Sequence, residues 1–192
     1  HMKTSIANII RPDASSYHTF FFDMATNEPL RGETHQGFSD DSSWARGQSW
    51  AVYGLALCYH YTHEEAILPL FERVTKYFID HLPEDYVPYW DLIFSDGSCE
   101  PRDTSAAAIA ACGILEMEKY YHNQEFLDIA KKMMSSLSEK YTTVDYLQSN
   151  GIIKDGMYSR KHGHKSECTS WGDYFYLEAL MRMKKSDWKI YW

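Results

Sequence analysis

Apolar positions along this chain recur in two alternating styles. From Ser42 onward, Trp44, Trp50, Val52, Tyr53, Leu55, Ala56 and Tyr59 cover most of a helix's circumference, so that helix belongs inside. Between Glu64 and Leu82, Ile67, Leu70, Phe71, Val74, Tyr77 and Phe78 fall at three- and four-residue steps with Glu65, Glu72, Arg73, Lys76 and Asp80 between them. That spacing predicts an amphipathic helix at the periphery. Pro69 lies within its first turn and a half, where a proline does least damage. Pro83, Pro88, Gly97 and Pro101 then break the chain, until Asp103 or Thr104 caps an Ala-rich apolar helix. Gln124 to Tyr141 supplies a second amphipathic helix, and beyond a loop centred on Asn150-Gly151, Thr169 or Ser170 caps a last apolar helix from Trp171 to about Met183.

The inner style therefore begins near Ser43, Thr104 and Trp171, and the outer style near Glu64 and Gln124, a repeat of about 60 residues. The fold class is all-α, and buried helices alternating with amphipathic ones are what an α/α toroid requires. The exception is the N-terminal part to about Asp41, where the aromatic run YHTFFFD and the turn residues of NEPLRGE predict a short hairpin or extended loop. A closed toroid of six hairpins needs about twelve helices, hence about 360 residues at ordinary connection lengths. Five predicted helices make a partial toroid, whose open inner edge would be an apolar patch of interface size. The expectation is association with a copy of itself or with a complementary N-terminal half.

At 192 residues with 44% hydrophobic and 16% aromatic content, the chain is globular and would ordinarily be one domain. Residues 3–192 are read as part of such a domain, and His1-Met2 as a cloning remnant, so that the native start lies elsewhere. A net charge of −8 disfavours nucleic acid and anionic membranes as partners. The apolar run from Ala106 to Leu115 is too short to cross a bilayer, and no secretion signal opens the chain. A cytoplasmic location is expected, with the periplasm as the other option. Cys58, Cys99, Cys112 and Cys168 form no C-x-x-C pair and are expected to be reduced and buried.

The candidate chemistry concentrates in THQGFSDDSSWARGQSW, Thr34 to Trp50. Arg46 and Trp50 are four apart, so a helix beginning near Ser42 or Ser43 would stack a guanidinium fork and an indole face on one side. A guanidinium pairs with carboxylate or sulfate, and an indole packs on a pyranose ring, so the cluster suits a sugar acid. Each residue alone is also compatible with a plainer role, Trp50 in a core and Arg46 paired with Asp40 or Asp41.

Five segments carry a family resemblance: SSYHTFFFD at Ser15–Asp23, RGETHQG at Arg31–Gly37, VPYWD at Val87–Asp91, DTSAAAIAACGILE at Asp103–Glu116 and WGDYFYLEALMR at Trp171–Arg182. In order and approximate spacing the chain, from about Asp13 to Trp192, resembles the unsaturated glucuronyl hydrolases of glycoside hydrolase family 88. The resemblance implies a six-hairpin α/α barrel, of which this chain corresponds to the C-terminal half. It also implies substrates with a terminal 4,5-unsaturated uronic acid, as in glycosaminoglycan-type oligosaccharides, and no cofactor. The implied reaction is hydration: an aspartic acid protonates C4, water adds at C5, and the resulting hemiketal opens to release the remaining sugar. Such an acid must have its pKa raised by burial or a second carboxylate. The family's two key aspartates precede the region of resemblance, so no catalytic residue carries over and the isolated chain is expected to be inactive. By resemblance, His18, Gln36, Arg46 and Trp50 stand at substrate-contacting positions, with His35 as a supporting residue of the turn.

Asp40 and Asp41 read as helix caps and orienting partners of Arg46, Asp103 as the cap of its own helix, Asp173 as another first-turn acid and Asp91 as a loop brace. The only concentrated basic stretch, Arg160 to Lys165, turns at Gly163 and resembles a basic loop near the substrate mouth, which makes Lys161 and His164 candidate sulfate contacts. His162, His164 and Cys168 lack a fourth ligand at zinc spacing, so no metal is expected. Two other readings stay open: an unsaturated rhamnogalacturonyl hydrolase, which shares the toroid, and a noncatalytic sugar-binding or assembly module.

Overall fold

A computed structural model describes residues 1–185 and 187–190. Among them are six α-helices: α1 (Met2–Ile9), α2 (Ala45–Thr62), α3 (Ile67–Asp80), α4 (Thr104–Met117), α5 (Gln124–Lys140) and α6 (Ser170–Lys184), with strands β1 (Thr19–Phe22) and β2 (Pro29–Glu33) between α1 and α2. Helices α2, α4 and α6 pack side by side as an inner layer, while α3 covers α2 and α5 covers α4. The result is an arc of an α/α toroid.

The two patterns in the sequence sort into these two layers. In α4 every residue except Leu115 is buried, because the helix is flanked by α2 and α6 and roofed by α5. In α3 and α5 one stripe is buried, Ile67, Phe71, Val74 and Phe78 in the first and Phe126, Ala130, Met133, Met134 and Leu137 in the second. Pro69 is the third residue of α3, where its missing N–H has no intrahelical acceptor to lose. Asp103, Asn123 and Thr169 cap α4, α5 and α6 by accepting from the N–H groups of Ser105, Phe126 and Gly172. Helix α2 starts at Ala45, with Trp44 before it and no side-chain cap, so Asp40 and Asp41 are not its caps.

A sixth helix departs from expectation. Met2, Ile6 and Ile10, four apart, lay α1 against the core although none of its residues is fully buried. The N-terminal aromatic run forms the hairpin rather than a loop. β1 and β2 are antiparallel, with Thr19 opposite Glu33 and Phe20 opposite Gly32. Asp23 accepts from the N–H groups of Ala25 and Thr26 to make the turn. All four cysteines are free, but only Cys112 is fully buried; Cys99, placed in the polar 95–100 turn, is exposed instead. No described helix is long and apolar enough to cross a membrane.

The inner helices approach one another closely. A Cβ on Gly113 would lie 2.8 Å from the backbone N and Cα of Tyr53 in α2, so only glycine admits this α2/α4 contact. At the C-terminal ends of the same helices sits a buried ionic cluster. Arg182 pairs with Glu116 and, at 2.7 Å, with Glu178, while Lys119 and His60 reach Glu116 at 2.7 and 2.9 Å. The Tyr53 hydroxyl donates to Glu178 at 3.1 Å.

Candidate sugar-binding site

The opposite, N-terminal ends of α2, α4 and α6 carry the site. Pairing of Thr19 with Glu33 brings His18 against the turn that follows β2. There His18 Nδ1 accepts the backbone N–H groups of His35 and Gln36, each at 3.0 Å. An imidazole that accepts twice at Nδ1 keeps its proton on Nε2, and the ring lies on Trp44 with centroids 4.3 Å apart. Burial, then the neighbouring His35 and Arg46, push its pKa down to about 4. His18 is thus a neutral, fixed donor and not a base. Since the unfolded chain takes up a proton near pH 6.5 that this site refuses, stability should fall as pH drops from 6.5 toward 4. Imidazole NMR shifts should show His18 still neutral at pH 5.5; a protonated ring at that pH contradicts this geometry.

The turn itself is braced from below. Asp91, fully buried, accepts from Phe38 N at 2.9 Å, from Ser42 Oγ at 2.7 Å and from Ile93 N at 3.2 Å, the loop-bracing role expected of it. Thr34 closes the turn by accepting from Gly37 N at 2.8 Å, and Asp40 accepts from Thr34 N at 2.7 Å.

Arg46 sits in the first turn of α2 and is 3% exposed. Its partner is Asp103, at 2.5 Å, rather than Asp40 or Asp41. Asp40 belongs to the outer turn and Asp41 is exposed there, whereas Asp103 stands directly across the α2/α4 contact. The guanidinium also donates to the carbonyls of Met157 and Tyr158, both at 2.8 Å, and lies 4.4 Å from the Trp44 ring centre and 5.3 Å from that of Trp171. Asp103 is doubly employed: its Oδ1 caps α4 by accepting from Ser105 N, as predicted, and its Oδ2 holds Arg46. Asp173 does not serve its own helix; it accepts from Ile152 N and Ile153 N and fixes the approach to the basic loop.

That loop is joined to the site by the same carbonyl. Gln36 Nε2 donates to Tyr158 O at 2.7 Å, alongside Arg46. His162, in a single 3-10 turn from Arg160 to His162, stacks 4.7 Å from His35. His164 packs edge-on against Tyr158, Lys161 is exposed, and Gly163 turns the chain at φ +80° as its position demanded. Among the described residues no cluster of three or more His, Cys, Asp or Glu has a metal-holding arrangement.

His18, Gln36 and Arg46 are therefore one connected group around Tyr158. Trp50 lies one helical turn further along, 37% exposed and edge-on to Phe175 of α6 at 5.1 Å. With His18, Trp44 and Tyr17 it lines an apolar cleft of ≈ 380 Å³ between α1 and α2. Sequence reasoning missed Tyr158 and Trp171 as members of the group. Neither carries a local signal, since they join Arg46 from more than a hundred residues away.

Comparison with known proteins identifies the family. The Glycosyl Hydrolase Family 88 profile matches residues 7–186. The unsaturated chondroitin disaccharide hydrolase of Streptococcus pneumoniae is 49% identical over 198 aligned positions, covering 100% of this chain and 50% of the relative. The crystal structure of the unsaturated glucuronyl hydrolase from Streptococcus agalactiae superposes with a TM-score of 0.95 at 46% identity, over 100% of this chain and 50% of that one. A variant of the same enzyme, complexed with dGlcA-GalNAc6S, gives 0.89 at 46% identity, over 100% of this chain and 52% of that one. The chain spans about half the length of the curated relatives it matches. With a profile match across most of its residues and the toroid arc seen in the solved relatives, this chain belongs to glycoside hydrolase family 88.

Proposed function

We propose that this chain is the sugar-binding wall of an unsaturated uronyl hydrolase, recognising the unsaturated uronic acid at the end of a glycosaminoglycan-type oligosaccharide. The observation that carries it is that Gln36 and Arg46 both donate to the Tyr158 carbonyl, with His18 holding the Gln36 backbone N–H, beside an exposed Trp50. His18 offers a neutral N–H donor, Trp50 offers an indole face for a pyranose, and the loop of Lys161 and His164 offers positive charge to a sulfate at the rim. A relative solved with a 6-sulfated disaccharide supports that substrate class.

Proton donation falls outside this set. Asp91 and Asp103 are fully buried and each is saturated with donors, so neither can protonate a vinyl ether at a sugar C4. Hydration of the double bond then needs a carboxylate from another segment, and the chain alone should bind without turnover. Titration calorimetry with an unsaturated chondroitin disaccharide should show binding, while absorbance of the double bond stays constant. Trp50→Ala should weaken binding about tenfold through loss of a ring contact. Preference for an unsaturated rhamnogalacturonan disaccharide would replace this reading with the related hydrolase, and absence of binding to either would overturn it.

A further inference from the structure

The segment that delivers His18 has little apolar burial of its own. No residue of β1 or β2 is buried, and α1 just before them buries none completely. Besides the Trp44 ring against His18, polar tethers set its place. Gln48 of α2 and Arg73 of α3 donate to the carbonyls of Ala14 and Pro12, which ties residues 12–14 to the helices. Arg11 goes elsewhere: its fork donates to Asp40 O at 2.5 Å and to Ser42 O at 3.0 Å, both in the turn that carries Gln36. We propose that Arg11 is a positioning residue of the sugar site, a staple that holds the 34–42 turn on the His18 segment so that the His18 imidazole and Gln36 keep their places.

The staple grips the end of the turn that His18 does not. His18 Nδ1 takes the N–H groups of His35 and Gln36 near the start of the turn, and Arg11 takes the carbonyls of Asp40 and Ser42 at its finish. Asp40 also accepts from Thr34 N, so a shift at Asp40 is passed to the residue before His35. The near side is shaped to present the guanidinium. Ala14 stands at φ +72°, and the chain folds back so that Arg11 N donates to Ser15 O at 2.8 Å and the Arg11 fork to Ser15 Oγ at 3.0 Å. The guanidinium carbon lies 4.0 Å from the centre of the Tyr17 ring. A Cβ on Gly32 of β2 would fall 2.2 Å from that same ring, so glycine lets the hairpin close on it. Arg11 and Gly32 thus both bear on Tyr17, the residue next to His18.

One planar fork serves Asp40 O, Ser42 O and Ser15 Oγ at once, whereas lysine offers a single nitrogen. The consequence reaches His18 through the turn. While the turn is seated, a proton on Nδ1 would face two N–H groups, with His35 and Arg46 adding their repulsion in a half-buried site. Once the turn drifts, Nδ1 loses both donors and opens to water and to a proton. The proton affinity of His18 therefore reports on the staple, which a purely structural role for Arg11 would not move.

In imidazole NMR titrations, Arg11→Met should let His18 hold its proton about tenfold more tightly than in the wild type. Arg11→Lys should show a smaller rise in the same direction; it keeps the charge, and it carries the test if Arg11→Met does not fold. Ser15→Ala takes away the hydroxyl contact but neither carbonyl, and should leave the His18 titration in place. Affinity for an unsaturated chondroitin disaccharide at pH 7 should drop about tenfold in Arg11→Met, an expectation that rests on the sugar-binding reading. An unmoved His18 titration in whichever arginine variant folds overturns the proposal. So does a rise in Arg11→Met that Arg11→Lys abolishes, the mark of charge alone, or a Ser15→Ala that moves the titration as far. If His18 responds as expected while the wild type binds no disaccharide, the staple stands and the sugar reading falls.

Discussion

Arg182→Met should cost about 3–5 kcal/mol of stability, the usual effect of removing one side of a buried ion pair. The Arg182 side chain is 1% exposed and stands between Glu116 and Glu178, whose own side chains are 0% and 3% exposed. Methionine keeps much of the volume but leaves two carboxylates in the core, with Lys119 the nearest compensating cation at 2.7 Å from Glu116. The pH dependence should change with it. Burial pushes the Glu116 carboxyl up, but Lys119 and Arg182 together hold it below its ordinary value of 4.5. A carboxyl whose folded pKa is depressed stabilises above the unfolded value and loses that contribution as pH falls through the folded one. Without Arg182 the acid limb should therefore begin at higher pH. Urea unfolding between pH 4 and 7 measures both effects, and a cost under about 1 kcal/mol with an unmoved acid limb would contradict this account of the cluster.

Asp103→Ala should be comparably severe, for three reasons that separate variants can divide. It strips Arg46 of its carboxylate at 2.5 Å in a site 3% exposed, it removes the cap of α4, and it takes an acceptor from Met157 N. The unpaired charge should account for about 3 kcal/mol or more, and the cap for about 1 kcal/mol. Asp103→Asn retains an oxygen for the cap while losing the charge, so its cost should fall between wild type and alanine. The pair Asp103→Leu with Arg46→Met should recover most of the stability, since neither charge is then stranded. Sugar binding should not recover with it, because the Met157 and Tyr158 carbonyls lose the guanidinium that holds the basic loop. If Asp103→Asn matched alanine, the cap would contribute nothing; if it matched wild type, the ion pair would be energetically idle.

Much of this was legible in one dimension. The alternation of crowded and one-sided apolar patterns marked α2 to α6 to within a few residues, because inner and outer helices of a toroid differ in how many faces they bury. Helix α1 escaped because its eight residues bury nothing completely and set only Met2 and Ile6 against the core, with Ile10 just beyond. The site residues His18, Gln36, Arg46 and Trp50 came from motif resemblance, and the structure joins Gln36 and Arg46 at the Tyr158 carbonyl and His18 to them through the Gln36 N–H. Their bonding was a different matter. Arg46 had two acids within six residues, and local pairing was the economical expectation, but the chain bends away at the 34–42 turn and the true partner lies 57 residues on. Long-range partners such as Asp103, Tyr158 and Trp171 leave no periodic trace, because only the helix packing decides who meets whom.

The two ends of the inner helices carry separate duties. One end is tied by Arg182 and its carboxylates, and the other opens into the turns and loops that hold the proposed sugar-contacting groups. A scaffold anchored at its floor can tolerate rewriting of its upper rim. Relatives with different tastes in sugar should therefore diverge in the 34–42 and 157–167 segments while the residues beneath stay frozen, and grafting those two rims together should transplant preference without re-engineering the foundation.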